Sequence, residues 1–273
     1  MITYHHRSIG LVPGGPVFAA ARLFETALMR RFHVIGCTTP ANMAYLAAHY
    51  RLQAEQKVVW TPLWGEIAPP TPRPREIVRS EHGLPLDRKI VVFGGQITEG
   101  RGIDQMLTVA AIAERGRPDL AFLFVGDGRL VPLIEQRIAS GLSNVFLKSR
   151  LAREDYLVLL SACDLGLIAT VPQVDSTSFP TKTIDYLRAS LPIVAAVEET
   201  SDYAVLLRQW KVGVAVPAGN AKALYAAVSE MVDDPRTDAE FARLARACLE
   251  EVFDVGRAAR RILESVAAIS DQQ

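Results

Sequence analysis

Little in these 273 residues points to a special environment. Cysteine is scarce: Cys37, Cys163 and Cys248 stand singly in apolar surroundings. Their spacing fits neither a disulfide framework nor a zinc site, so each is expected as a small buried hydrophobe in a reducing compartment. No apolar run reaches the roughly 18 residues that a membrane span requires. The start, MITYHHRSIG, lacks the basic stretch and apolar core of a signal peptide. Neither sign of charge dominates, since 30 Lys and Arg face 30 Asp and Glu. With no long basic run and no interleaving of basic and aromatic residues, nothing favours a nucleic-acid partner. The expectation is a soluble cytoplasmic protein, with peripheral membrane contact left open. What the chain does contain is core material: 49% hydrophobic against 22% charged residues suffice for one large or two modest domains.

From residue 89 onward, short apolar runs recur: KIVVFGG, LAFLFVGDG, NVFLKS, CDLGLIATV, LPIVAAV and VGVAVPAG. They are nearly continuous in apolar residues rather than alternating, which predicts strands covered on both faces. Helix-length segments such as GIDQMLTVAAIAERG separate them, so the reading is an α/β domain with right-handed crossovers and a mostly parallel sheet. The tail after Asn220 reads as helix almost throughout. The first 63 residues read as a smaller piece of the same architecture: a strand MITYHH, a helix over about 17–31, a strand HVIGCTT, a helix over about 40–54 and a strand KVVWTPL. A run containing Pro69, Pro70, Pro72 and Pro74 follows, and its first part is predicted as a linker. A piece of about 60 residues buries little surface by itself. Either the larger domain supports it or an N-terminal portion is absent.

Three strand ends carry groups suited to phosphate. In VVFGGQITEGRGIDQML, Gly94 and Gly95 permit a tight turn, and Gly100 and Gly102 flank Arg101 just before a helix, whose free N–H groups favour an anion. This is neither a dinucleotide fingerprint nor a P-loop. In FVGDGRL, Asp127 between two glycines reads as a turn former, and Arg129 is placed at the crevice beyond the strand ends. In STSFPTKTIDYLRASLPIVAA, Ser178 or Thr181 can cap a helix that Pro180 introduces, while Thr181, Lys182 and Asp185 are expected at the sheet edge as phosphate and ribose partners. His5 and His6 end the first predicted strand and enter as weaker site residues, with no metal-ligand spacing around them.

The order of these segments resembles the two-domain GT-B glycosyltransferases, in particular the large retaining group that moves sugars from nucleotide donors. The resemblance covers nearly the whole chain and rests on GGQITEGRGIDQML, FLFVGDG, VFLKSRLAREDYLVLLSACDLGLI, FPTKTIDYLRASLPIVAA and VFDVGRAARRILE. It implies residues 1–75 as a partial acceptor-side domain and linker, residues 76–253 as a Rossmann-like domain that binds the nucleotide sugar, and residues 254–273 as a C-terminal crossover helix. By position, Arg101 matches the basic residue on the donor diphosphate, and Gly95 stands where a second such arginine is common. Asp185 matches the acid on the donor ribose. Thr177, eight residues upstream, replaces the acid that usually meets the transferred sugar. Ser149 and Arg150 lie where the nucleobase is embraced. His5, or failing it His6, matches an active-site histidine. The several strands and helices that precede this histidine in the family do not appear here.

The activity so implied is transfer of a hexosyl group from a nucleoside-diphosphate sugar, as co-substrate, to a glycan, lipid or small-molecule acceptor. Configuration would be retained, with no bound metal or other cofactor. Two rivals stand beside it: a nucleotide-sugar epimerase on the same scaffold, and a nucleotide-sugar-binding module with impaired catalysis. Gly95 and Thr177 favour the latter.

Overall fold

A computed structural model of the chain describes residues 2–172, 179–199 and 201–270. The chain enters through two helices, α1 (Ile2–Ser8) and α2 (Pro16–Met29), followed by β1 (Val34–Cys37), α3 (Pro40–His49) and β2 (Lys57–Trp60). Strands β1 and β2 pair in parallel, from Val34↔Lys57 to Cys37↔Trp60. The expected first strand MITYHH is therefore corrected to a helix, and His5 and His6 lie within it rather than at a strand end. Packing explains the change. Tyr4 meets Phe18, Tyr45, His49 and Tyr50 edge-on, and Ser8 bonds back to the Tyr4 carbonyl at 2.8 Å. A one-sided aromatic cluster of this kind outweighs the β preference of the local sequence.

The proline-rich run is extended and carried by the larger domain. Arg188 donates to the Ala68 carbonyl at 2.6 Å, and Arg246 donates to that of Ile67 at 2.7 Å. Helix α4 (Arg75–Glu81) begins directly after Pro74, where a proline fits a helix start. Then follow β3 (Lys89–Gly94), α5 (Ile103–Gly116), β4 (Leu120–Val125), α6 (Val131–Ala139), β5 (Val145–Lys148), α7 (Arg153–Ser161) and β6 (Leu165–Ala169). The second half continues with α8 (Lys182–Arg188), β7 (Ile193–Val197), α9 (Tyr203–Trp210), β8 (Gly213–Pro217), α10 (Ala221–Val232) and α11 (Asp238–Cys248). A π-helical turn at Leu249–Phe253 leads into α12 (Val255–Ser270).

All six strands of the larger sheet are parallel, in the order β5-β4-β3-β6-β7-β8. Every residue of β4, β6 and β7 is buried, as near-continuous apolar runs require of strands covered on both faces. Helices α5, α6 and α10 pack on one face, and α7, α8, α9 and α11 on the other. The three cysteines are free and buried, and burial pushes the thiols of Cys163 and Cys248 up to about 12. Helix α12 returns to the small sheet, where Arg261 stacks on Trp60 at 4.4 Å. The architecture is thus two α/β units, one with a complete six-stranded sheet and one with a partial two-stranded sheet.

At the amino ends of the large sheet, Asp164 binds Arg75 at 2.6 Å, Arg79 at 2.7 Å and the Ile90 N–H at 2.7 Å, with Lys89 at 3.5 Å. Two open cavities of about 400 and 310 Å³ lie there, both walled by Arg75, Lys89 and Asp164. Their linings balance basic with acidic side chains, four against four and three against three, so these hollows are poor anion sites.

Candidate nucleotide-sugar site

At the opposite ends of the strands, the order reverses beside β3. Strands β4 and β5 follow on one side and β6, β7 and β8 on the other. Open parallel sheets bind ligands in the crevice at such a reversal. Here the β3–β6 ladder spans only Val91↔Leu165 and Val92↔Gly166. Beyond it, Tyr186 of α8 inserts its hydroxyl between the strands. The hydroxyl accepts from the Gly94 N–H at 3.1 Å and lies 3.2 Å from the carbonyls of Val92 and Leu167. Its ring occupies the space where a Cβ on Gly166 would sit, and the Tyr156 hydroxyl likewise fills the space beside Gly94. Both glycines are dictated by close approach rather than by flexibility. Helix α8 is thereby wedged beneath the crevice, which fixes the residues at its amino end.

Lys182 opens that helix. Its Nζ lies 3.9 Å from the centre of the Phe93 ring, and a Cβ on Gly95 would sit 3.8 Å from it. Burial, and after it the nearby Arg101 guanidinium, pulls the ammonium down to about 7. Among the described residues no carboxylate pairs with it. Arg101 is exposed in the β3–α5 loop. The following Gly102 (φ +58°) presses so closely on Ala169 and the Thr170 carbonyl that a side chain there would collide with β6. Two cations with no counter-charge among the described residues thus meet over one crevice, an arrangement that calls for an anion.

Thr181 is exposed, has helical backbone angles and makes no capping bond. The cap expected of Thr181 is therefore corrected, while the alternative, Ser178, lies outside the described residues. The helix entry is tied instead by Thr183, which donates to the Pro180 carbonyl at 2.7 Å and meets the Tyr203 hydroxyl at 2.7 Å. Asp185 lies on the first turn of α8, with both oxygens held by Arg153 of α7 at 2.5 and 2.7 Å. Ser149 and Arg150 are exposed just beyond β5, and the Arg150 N–H lies 3.4 Å from Asp127 Oδ1. Arg129 is exposed and paired with Glu99 at 2.9 Å. His6 precedes Ile9, whose side chain covers Gly100 in the Arg101 loop. The His5 side chain and Thr177 lie outside the described residues.

A family model described as glycosyl transferases group 1 matches residues 74–247, well over half of the chain. The chain belongs to this family. A curated relative, the GDP-mannose-dependent monoacylated alpha-(1-6)-phosphatidylinositol monomannoside mannosyltransferase of Corynebacterium glutamicum, is 24% identical over 203 residues. That match covers 73% of this chain and 53% of the relative, so the chain spans about half the length of the curated protein it matches. Among solved structures, Anabaena Alr3699/HepE in complex with UDP-glucose superposes with a TM-score of 0.74 at 21% identity, covering 91% of this chain and 68% of that one. Sucrose-phosphate synthase from Thermosynechococcus elongatus gives 0.70 at 18% identity, covering 93% and 63%. The fold is the two-domain GT-B arrangement, with the N-terminal unit reduced.

In this group 1 glycosyltransferase chain, the structure draws Gly94, Gly95, Arg101, Thr181, Lys182 and Asp185 around one crevice, and leaves Ser149, Arg150 and Arg129 on its β4–β5 flank. Arg153, Tyr156 and Tyr186 were invisible to sequence reasoning. Each acts across 32 or more positions, or through a glycine whose need for space leaves no local pattern. Among the described residues, no group of three or more His, Cys, Asp or Glu side chains is disposed to hold a metal ion.

Proposed function

We propose that this crevice binds a nucleoside-diphosphate sugar and that the protein transfers the glycosyl group to an acceptor with retention of configuration. The observation that carries the reading is the convergence of Lys182 and Arg101, with no carboxylate partner among the described residues, at the point where the strand order reverses. Their charges would stabilise the diphosphate as the glycosidic bond breaks, the main electrostatic task of such a transfer. Asp185, oriented by Arg153, is suited to accept two ribose hydroxyls, and Ser149 with Arg150 would border the base. The curated relative names GDP-mannose and a solved neighbour holds UDP-glucose, which supports a nucleotide sugar as donor. A glycan, lipid or small molecule would serve as acceptor, approached from the small sheet, where His6 lies on α1 three residues before Ile9, the side chain that covers Gly100 of the Arg101 loop.

Calorimetric titration with UDP, UDP-glucose, GDP and GDP-mannose tests the reading. One nucleotide should bind, and R101A should weaken it about tenfold, as loss of one charge-assisted phosphate contact implies. Unchanged diphosphate affinity in R101A removes that loop from the site. Thr177, a hydroxyl where the family resemblance puts an acid, favours a second reading, a module that binds the nucleotide sugar without transferring it. Donor binding with no nucleotide release across an acceptor panel would select that reading.

A further inference from the structure

One corner of the rim holds two polar side chains with buried atoms that lack hydrogen-bond partners among the described residues. Glu198 directly follows β7, and its side chain is 9% exposed. Neither carboxylate oxygen has a hydrogen-bond partner. The adjacent Thr170 hydroxyl points instead at the Ala196 carbonyl, 3.3 Å away. Gln105, on the first turn of α5, uses its Oε1 to accept from the Gly219 N–H at 3.1 Å, but its buried Nε2 has no acceptor.

The two groups belong to one neighbourhood. The Ala218 N–H donates to the Val197 carbonyl at 3.0 Å, which sets Glu198 and Gly219 one residue beyond the same β7–β8 contact. Val194 and Ala196 of β7 pack on the α5 face of the sheet, and the alternation of a strand carries Glu198 toward that face. Gly102, next to Arg101, rests on Thr170, so the corner adjoins the loop read above as the diphosphate clamp. Buried polar groups are almost always satisfied, and an unpaired carboxylate is among the most costly to leave. Burial raises the Glu198 carboxyl above the usual carboxylate range; its own N–H and the Thr170 hydroxyl lie near enough to offset this in part, but the hydroxyl is turned to the Ala196 carbonyl and neither makes a well-formed bond to the carboxylate.

We infer that Glu198 and Gln105 form the subsite that recognises hydroxyls of the transferred sugar, with Glu198 accepting from them and the Gln105 amide donating to them. The inference rests on the nucleotide-sugar reading of the crevice. A sugar hydroxyl is the matching ligand because it both donates and accepts, whereas phosphate would be repelled by the carboxylate. It also gives the chain an acid for the sugar where Thr177 supplies none.

The experiment compares E198Q and Q105A with wild type by calorimetry, using UDP against UDP-glucose and GDP against GDP-mannose, together with thermal melting at pH 7.5. For the bound pair, E198Q should raise the ratio of nucleotide-sugar Kd to free-nucleotide Kd by about tenfold, the value of a hydrogen bond to a charged group. Free-nucleotide affinity should stay within about twofold, because one charge is removed outside the diphosphate contacts. Melting temperature should hold or rise, since a residue kept for binding is not at its stability optimum. A ratio unchanged in both variants overturns the assignment and marks the corner as a water site. Wild type that binds UDP or GDP but neither nucleotide sugar overturns it while leaving the nucleotide site standing. Wild type that binds none of the four overturns both.

Discussion

Lys182 provides the sharpest quantitative test of the crevice. Its ammonium sits over Phe93 near Arg101, and its affinity for a proton falls from the ordinary 10.5 to about 7. Keeping it charged in this place costs roughly 4–5 kcal/mol relative to water. The Phe93 face returns only about 0.5–2 kcal/mol of that. A diphosphate charge about 4 Å away would contribute about 4 kcal/mol at the effective dielectric of a protein surface. Ligand binding would therefore restore the lysine to nearly its ordinary proton affinity, and a proton would be taken up on binding wherever the free protein is neutral at this position.

The consequence for the bound nucleotide is direct. Between pH 7 and about 10, Kd should weaken about tenfold per pH unit in the wild type, because the charged form that binds becomes rarer in the free protein. K182R, charged throughout, should show a flat profile, and K182M a flat and weaker one. Titration calorimetry in two buffers of different ionisation heat counts the proton taken up. Stability should move in the opposite sense. In the unfolded chain the lysine holds its proton up to about 10, but in the folded protein only to about 7, so the unfolded state binds the extra proton in that interval and stability rises with pH. K182M should lose this slope in melting temperature and gain most over wild type below pH 7. A pH-independent nucleotide Kd in wild type, with K182M binding equally well, would refute the reasoning.

Two further outcomes follow from the wedge beneath the crevice. Y186F removes the acceptor of the buried Gly94 N–H and should cost about 1–3 kcal/mol in chemical denaturation, with the slope unchanged; a loss under 0.5 kcal/mol would mean the hydroxyl is not needed between β3 and β6. R153M frees Asp185 from its fork at a cost of about 1 kcal/mol or less, because the arginine is 55% exposed. If Asp185 reads the ribose and Arg153 only orients it, D185N and R153M should each reduce discrimination between the bound nucleotide and its 2′-deoxy form, and the double variant should be no worse than D185N alone.

Much of the larger sheet was legible because its strands are buried on both faces and so appear as unbroken apolar runs such as LAFLFV and IVAAV, each bounded by Gly or Pro signals. The order of glycine-rich loops at the strand ends was legible for the same reason, since each loop follows its strand without an intervening element. MITYHH was misread because its β-branched and aromatic residues suit a strand, while what decides its state is the packing of Tyr4 against α2 and α3, elements distant in sequence. The capping role expected of Thr181 failed similarly: Thr183 finds the Tyr203 hydroxyl 20 positions away, and that contact sets the helix entry. The Arg153–Asp185 fork and the Tyr186 wedge bridge 32 and 92 positions. A single sequence registers such pairs only as two unrelated polar residues.

The two ends of the large sheet differ in a way that composition hides, because the net charge is zero. At the amino ends, Asp164 gathers two arginines, a lysine and a backbone N–H into one paired network that joins α4 to β3 and β6. At the carboxyl ends, Lys182 meets no carboxylate among the described residues, while the Glu198 oxygens and Gln105 Nε2 are buried without a well-formed hydrogen bond. Asn144 Oδ1 and Arg188 Nη1 also lack partners elsewhere in this domain, so the difference between the rims lies in net charge pairing: Asp164 is matched by cations at the amino ends, whereas Lys182 meets no carboxylate among the described residues at the other. Stability alone does not produce that asymmetry, since unpaired buried groups are among the largest penalties a fold bears. A ligand that brings two phosphates for the cations and hydroxyls for the carboxylate and the amide would complete every one of these interactions together.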